Sequence, residues 1–466
     1  DGLGHAPGRR VGSRGVPGRP DADARGGGAV ESRPGDAGLT AAGPATARRA
    51  AFQVLEETAA GRPFDAALAR ALRGLDDRDG RLTHELAAGV LRRRGDLDVA
   101  LAPLTEHGWE SVDPKVRTVL RLGAYQLLDL DKVPAHAAVG TSTELARWAV
   151  GEPAARFVNA VLRRLARDGA PASASAGSRR SHPAWLLHRW DQRFGVDATD
   201  RLLLWNDSQP PLVLQPARRT TAEIAAGLAR SGVASEPAPF DAGLSVDASR
   251  PTDLPRFAEG DFIVQGAAQA LVFRYAAIPD GAVVFDACAA PGGKAIGLRP
   301  TARTVLAADV RPARVRRLRE NLARAGSGRE FAIVADATQP PCGPVDAALI
   351  DAPCLGTGTF ARHPDARWRV SASALVRLAE QQAELLHAVA GIVRPGGLLI
   401  YATCSLEPEE NGLQMARFLT THPEFSREPP TGFPVGLRSP DGDLELFPQV
   451  HGTDGAFAAR LRRRAA

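Results

Sequence analysis

The chain has 466 residues, 44% of them hydrophobic and 24% charged, with a formal net charge of +5; this is too long for one hydrophobic core and predicts roughly two to four soluble domains. No apolar run approaches the roughly 20 residues that cross a bilayer, and no apolar signal core stands near the start, so the cytoplasm is the expected compartment and no membrane partner is expected. The four cysteines (Cys288, Cys342, Cys354, Cys404) form no C-x-x-C pair, which argues against a zinc site or a disulfide framework, and no metal is expected.

Residues 1–43 are rich in Gly, Pro, Arg and Asp without a periodic apolar face, and a disordered tail is predicted there. From 44 to 168 the pattern is helical throughout. Leu82, Leu86 and Val90 form one stripe, Val116, Val119, Leu120, Leu127 and Leu130 a second, and Val158, Val161, Leu162 and Leu165 a third, which predicts an all-α bundle. Exposed arginines such as Arg92, Arg93 and Arg94 are candidates for RNA contact or plain solvated surface. An Ala/Ser/Gly-rich linker is expected over 169–181. A small α+β module follows over 182–258, opened by a helix at Ser181-His182-Pro183-Ala184-Trp185.

From 259 to 466 strands alternate with helices. Strands are predicted near 282–286, 304–308, 331–335, 346–350 and 397–403, with helices to 299 and over 312–325, 372–391 and 408–420, which reads as a doubly wound α/β sheet. In such a sheet the carboxyl ends of the strands face the ligand crevice. Three strand ends there carry chemistry. Val283-Val284-Phe285-Asp286 runs into the turn Cys288-Ala289-Ala290-Pro291-Gly292-Gly293-Lys294, Ala347-Ala348-Leu349-Ile350 into Asp351-Ala352-Pro353-Cys354, and Leu398-Leu399-Ile400 into Tyr401-Ala402-Thr403-Cys404-Ser405. A phosphate-binding P-loop would need glycine at 288 and Ser/Thr at 295, where the chain has Cys288 and Ala295, and no G-x-G-x-x-G follows the strand. The three ends together predict a phosphate-free cofactor pocket with two thiols beside it. Lys294 is one of three lysines in the chain, a mild pointer to a chemical role.

These three motifs resemble those of the Nop2/Sun family of S-adenosylmethionine-dependent RNA 5-methylcytosine methyltransferases. They are most similar to its 16S rRNA branch, in which a NusB-like helical domain precedes the catalytic domain; the phrases Gly89-Val90-Leu91-Arg92 and Phe157-Val158-Asn159-Ala160-Val161-Leu162 resemble that domain. The resemblance covers roughly 44–466. It implies a multidomain chain: a NusB-like RNA-binding bundle, the small α+β module, and a Rossmann-like S-adenosylmethionine-dependent methyltransferase domain.

The implied cofactor contacts are Cys288, Ala289, Ala290, Pro291, Gly292, Gly293, Lys294, Asp309, Arg314, Asp336 and Asp351. Asp309, closing the next strand, suits the two ribose hydroxyls, and Asp336 is placed near the adenine. Cytosine C5 is a poor nucleophile, so a thiolate must first add at C6. The resemblance assigns that attack to Cys404, product release to Cys354, and a hydrogen bond on the pyrimidine edge to Asp351. Arg362-His363-Pro364-Asp365 and Arg367-Trp368 resemble the substrate loop, where an arginine meets phosphate and Trp368 either stacks on a base or packs in the core.

Val139-Gly140-Thr141-Ser142, Leu214-Gln215-Pro216, Ala295, Leu355 and Ala456 depart from the family pattern. The expected partner is 16S rRNA and the expected state a monomer. A tRNA cytosine-5 methyltransferase and a noncatalytic RNA-binding assembly factor are the rivals. Family members acting on tRNA generally lack the NusB-like domain, and a platform protein would not need both thiols.

Overall fold

The computed structural model describes residues 44–170, 178–248 and 250–465. The tail expected over 1–43 and the middle of the expected linker lie outside the described residues.

Six helices form the bundle: α1 (Pro44–Ala59), α2 (Phe64–Ala71), α3 (Asp77–Leu101), α4 (Pro114–Leu128), α5 (Ala135–Ala149) and α6 (Glu152–Asp168). Their starts are written in the sequence. Asp76 accepts from the Asp79 amide at 2.8 Å to cap α3, and Asp113 accepts from the Lys115 and Val116 amides to cap α4, with Pro114 in its first turn. Leu86, Val90, Val119, Leu120, Val158 and Leu162 meet in one core, each worth about 1.5–3 kcal/mol of burial. Helices α3 and α4 approach closely at Gly89, where a Cβ would stand 2.0 Å from the Tyr125 ring.

After the bundle, α7 (Ala184–Phe194) and α8 (Val196–Asp207) lead into β1 (Leu212–Pro216), α9 (Thr221–Arg230), β2 (Ser235–Pro237), β3 (Leu244–Val246) and β4 (Phe262–Val264). The small sheet is antiparallel in the order β2-β3-β1-β4. The boundary expected at 259 therefore needs correcting, because β4 completes the small sheet by pairing with β1. The expected start at 182 also shifts. Leu186 and Trp190 of α7 and Leu202 and Leu203 of α8 pack with Phe360 and Leu406 of the catalytic part, so these two helices belong to its wall.

The catalytic part continues with α10 (Ala267–Ala276), β5 (Val283–Asp286), α11 (Gly293–Gly297), β6 (Thr304–Asp309), α12 (Pro312–Ala325), β7 (Glu330–Val334), β8 (Val345–Asp351), α13 (Ala372–Ile392), β9 (Val393–Thr403), α14 (Gly412–Thr421), β10 (Phe425–Arg427), β11 (Leu444–Leu446), α15 (Pro448–His451) and β12 (Ala456–Arg463). The sheet order is β10-β12-β9-β8-β5-β6-β7, with β11 also on β12. Strands β5 to β9 are parallel, and the β12 hairpin edge is antiparallel. The chain winds outward from β5 through β6 to β7, then returns to β8 beside β5. That reversal opens a crevice at the carboxyl ends of β5 and β8.

The helix expected over 408–420 divides into a short turn, Pro408–Glu410, and α14. The cause is Asn411, whose side chain accepts from the Thr403 hydroxyl at 2.6 Å and donates to the Ser405 carbonyl at 2.8 Å. Its backbone is drawn out of the helical region to serve the strand end.

Candidate active site

At the end of β5 the chain turns tightly beneath β6. The amides of Ala287 and Ala289 donate to the Leu349 and Ala308 carbonyls, each at 2.8 Å. Gly292 has φ +108, and a Cβ there would lie 2.7 Å from Leu318, so glycine is required on both counts. Arg314 and Asn321 of α12 donate to the Ala290 and Pro291 carbonyls at 2.7 and 2.9 Å. The turn is thereby fixed from the far side of β6.

Three acids close this end. Asp286 is fully buried, and among the described residues neither carboxylate oxygen has a hydrogen-bond partner. Burial foremost, with the nearby charge of Asp351, pushes it up to about 7. Asp309 is buried, accepts from the Arg311 amide at 3.0 Å, and stands 3.2 Å from Arg314. Asp336 is exposed and accepts from the amide and hydroxyl of Thr338, the geometry of a turn former beside the crevice. Cys288 is pushed up to about 12, chiefly by burial and then by Asp351, Asp286 and Asp309; it stays a thiol and lends only backbone to the turn.

Lys294, 6% exposed, donates to Asp351 and to Gln269. It thus joins the turn to the end of β8. Just beyond, the sulfurs of Cys354 and Cys404 lie 3.4 Å apart, too far for a disulfide and close enough for one thiol to donate to the other. Both cysteines are free and half-buried. Their surroundings differ in sign. Cys404 is drawn below the ordinary thiol range by the hydrogen bond from Cys354, against burial and Asp351, with Lys294 and His363 adding positive charge. Cys354 is raised by that same bond, by burial, and by the negative charge of Cys404 and Glu410. These surroundings favour the thiolate on Cys404 over that on Cys354.

Glu410 is buried and sits beneath the Cys354 turn. Its carboxylate accepts from the Leu355 amide at 3.1 Å and from Gln382, whose Nε2 also donates to the Pro353 carbonyl at 2.9 Å. The Cys404 turn is held from the other side. Gly358 donates to the Cys404 carbonyl at 3.0 Å, and a Cβ on Gly358 would lie 2.8 Å from that oxygen.

Several residues weighed as RNA contacts are committed within the protein. Arg92 is buried and donates to the Ala361 carbonyl at 3.0 Å, Arg93 pairs with Asp96 and Asp129, and Arg94 lies over the Trp368 ring. Trp368 donates to the Leu91 carbonyl at 2.9 Å and packs on the bundle core. Arg367 is fully buried against Asp207 and the Asn206 carbonyl, each at 2.7 Å. Arg362 pairs with Asp454. Arg92, Arg94, Arg367 and Trp368 fasten the loop at 361–368 to the bundle and to α8.

With this geometry in place, the likeness to known proteins is informative. The description "16S rRNA methyltransferase RsmB/F" matches residues 276–462, and the NusB family matches 45–167. The probable ribosomal RNA small subunit methyltransferase B of Synechocystis is 34% identical over 90% of this chain and 99% of its own length. The ribosomal RNA small subunit methyltransferase B of Vibrio cholerae is 35% identical over 90% and 97%. The chain belongs to the RsmB/F family of 16S rRNA methyltransferases. The fold agrees, since the crystal structure of PH0851 superimposes with a TM-score of 0.77 and 23% identity over 91% of this chain and 100% of that one.

In this RsmB/F chain the NusB match coincides with the bundle, and the methyltransferase match covers β5 through most of β12. Among the described residues no group of His, Cys, Asp and Glu is arranged to hold a metal, and no helix is long and apolar enough to cross a membrane. Glu410 and Gln382 complete the site around the predicted thiols. Glu409 and Glu410 directly follow the thiol strand, and a buried acid at that place was the available signal for Glu410.

Proposed function

We propose that this chain methylates C5 of a cytosine in 16S rRNA, with S-adenosylmethionine as donor, through a covalent bond between Cys404 and C6. The observation that carries the reading is the pair of thiols 3.4 Å apart in surroundings of opposite sign.

The donor pocket fits the residues present. Asp286 has two buried oxygens in want of donors, Gly292 lets the turn close against Leu318 with φ +108, and Asp309 closes the neighbouring strand. Residues 288–294, Asp309, Arg314, Asp336 and Asp351 would hold S-adenosylmethionine, which supplies an electrophilic methyl group.

A cytosine within a stacked helix hides C6, so the base enters splayed or flipped. The Cys404 thiolate adds to C6, and the electron pair displaced toward C5 makes that carbon nucleophilic. Asp351, held by Lys294, hydrogen-bonds the pyrimidine edge by accepting from its exocyclic amine and so orients the base for attack. Once C5 carries the methyl, its proton passes to solvent water, the C5–H electron pair re-forms the C5=C6 bond, and the C6–S bond breaks to release the Cys404 sulfur as thiolate. Cys354, 3.4 Å from that sulfur, is placed to hydrogen-bond the departing thiolate as a thiol and so help it leave.

The test separates the two thiols by the order of steps. Cys404→Ala is expected to abolish methylation and form no adduct, whereas Cys354→Ala is expected to accumulate a protein–RNA complex stable on denaturing gels. A retarded band from Cys404→Ala exchanges the roles. No band from either, with labelled 16S rRNA and donor present, supports a noncatalytic platform. Bisulfite mapping of the product shows whether the methyl lies on C5.

A further inference from the structure

We propose that the helical bundle contributes a positioning residue to the thiol chemistry: Asp65, on α2, acts through His363 on Cys404. The inference rests on the reading of Cys404 as nucleophile.

The start of α2 is fastened to the substrate loop at two successive residues. The Phe64 amide donates to Asp365 at 3.2 Å, and the Asp65 carboxylate meets His363 Nδ1 at 3.2 Å. The loop then runs back to the thiol through short links. His363 and Arg362 donate their amides to the Thr359 carbonyl, the Thr359 hydroxyl donates to the Gly356 carbonyl, and Gly358 donates to the Cys404 carbonyl. A Cβ on Gly356 would stand 3.8 Å from the Cys404 sulfur. Residues about 300 positions apart, such as Phe64 and Asp365 with a separation of 301, thus meet at one edge of the site.

The charges favour an imidazolium there. Burial alone would pull His363 down, yet the hydrogen bond and charge of Asp65, with Cys404 and Asp365, hold it above the ordinary histidine value. The charged groups around Asp65 do not compete for it. His84 of α3 is pushed down by burial and Arg92 and is neutral at neutral pH, and Arg317 of α12 adds to the positive field. His363 in turn is among the positive groups that lower Cys404, beside Lys294. The pair is partly open, with side-chain exposures of 57% for Asp65 and 45% for His363, so its effect is moderate and salt-sensitive.

The chemistry is a fixed charge rather than a proton relay. A cation near Cys404 raises the thiolate fraction, and the bundle keeps that cation in place. The helical domain is then part of the reactive site and not only an RNA-targeting module.

The rate of Cys404 alkylation by iodoacetamide in the full-length protein, read peptide by peptide by mass spectrometry, measures this directly. Asp65→Asn and His363→Gln are each expected to slow Cys404 alkylation at pH 7 by about threefold to fivefold. The loss should shrink in 1 M salt and at high pH, where the imidazolium is screened or gone. The double variant should be no slower than His363→Gln, because Asp65 acts through the histidine. Equal thermal unfolding midpoints exclude a folding defect in these near-isosteric variants. An unchanged rate in Asp65→Asn, or additive losses in the double variant, overturns the inference. If Cys404→Ala abolishes methylation while Asp65→Asn alkylates normally, only the inference fails; if Cys404→Ala still methylates, the parent reading fails whatever Asp65 does.

Discussion

The two halves of the crevice are built in different ways. The cofactor half, at the ends of β5, β6 and β7, is a turn pinned by its own neighbours: Ala289 to Ala308, Arg314 to Ala290, Asn321 to Pro291. Every one of these bonds spans fewer than forty residues. The thiol half, at the ends of β8 and β9, is stitched from distant parts. Arg92 reaches Ala361 across 269 residues, Trp368 reaches Leu91 across 277, and Trp190 of α7 donates to Glu407 across 217. One half is held by local contacts of the sheet, while the loop over the other half is also held by the bundle and α8.

Removing the bundle breaks this comparison most sharply. A chain of residues 169–466 loses the partners of Arg367, Trp368 and Asp365 that lie on α2 and α3. Water replaces those partners, but the contacts that order the loop against the bundle are gone. We expect the shortened protein to bind S-adenosylmethionine within about tenfold of the full chain yet to lose rRNA methylation. Hydrogen exchange should rise over the substrate loop and stay low over β5 and β6. Equal methylation by both proteins would show that the loop holds its shape without the bundle.

The same division explains what was legible in the sequence. The turn at 288–294 and the two thiols stood out because each follows an apolar strand within a few residues, so local pattern was enough to place them at one sheet edge. Asp351, Cys354 and Cys404 do meet there. Arg92, Arg93 and Arg94 stood open between RNA contact and solvated surface, and Trp368 between stacking and the core packing it makes, because a basic or aromatic side chain reads the same whether it faces RNA or another domain. The break at Asn411 was equally hidden, since its cause is a pair of side-chain bonds to the preceding strand. The Asp65–His363 contact had no local signature at all.

A smaller effect sharpens the cofactor half. Asp309 is buried with one oxygen on the Arg311 amide and the other beside Arg314, leaving the carboxylate aimed and preorganised at its strand end. A pair of hydrogen bonds from a ribose to such a group is worth about 1.5–3 kcal/mol. Asp309→Ala should weaken S-adenosylmethionine binding by about tenfold or more in calorimetry. Because the thiol half is built elsewhere, the iodoacetamide reactivity of Cys404 in this variant should not change. Undiminished affinity would remove Asp309 from the donor site.

The smallest effect concerns the clamp beneath Cys354. Burial foremost raises Glu410 to about 7, although the bonds from Ser405, Gln382 and Leu355 pull the other way. With an unfolded value near 4.5, the folded protein holds the extra proton between these two limits. Stability therefore falls as pH rises through that window, by at most about 3 kcal/mol, and the loss is complete above the folded value. Glu410→Gln keeps an oxygen that can accept from the Leu355 amide but cannot titrate. The stability difference between wild type and variant, measured by urea unfolding at pH 5 and pH 8, should shift toward the variant at the higher pH. Asp286 and Asp443 also titrate upward of their usual range, yet both are present in each protein and cancel in that difference. A difference that stays constant with pH would mean that the Glu410 carboxylate is already charged across the range, and that the Cys354 turn is held by an ion rather than by an acid poised to lose its proton.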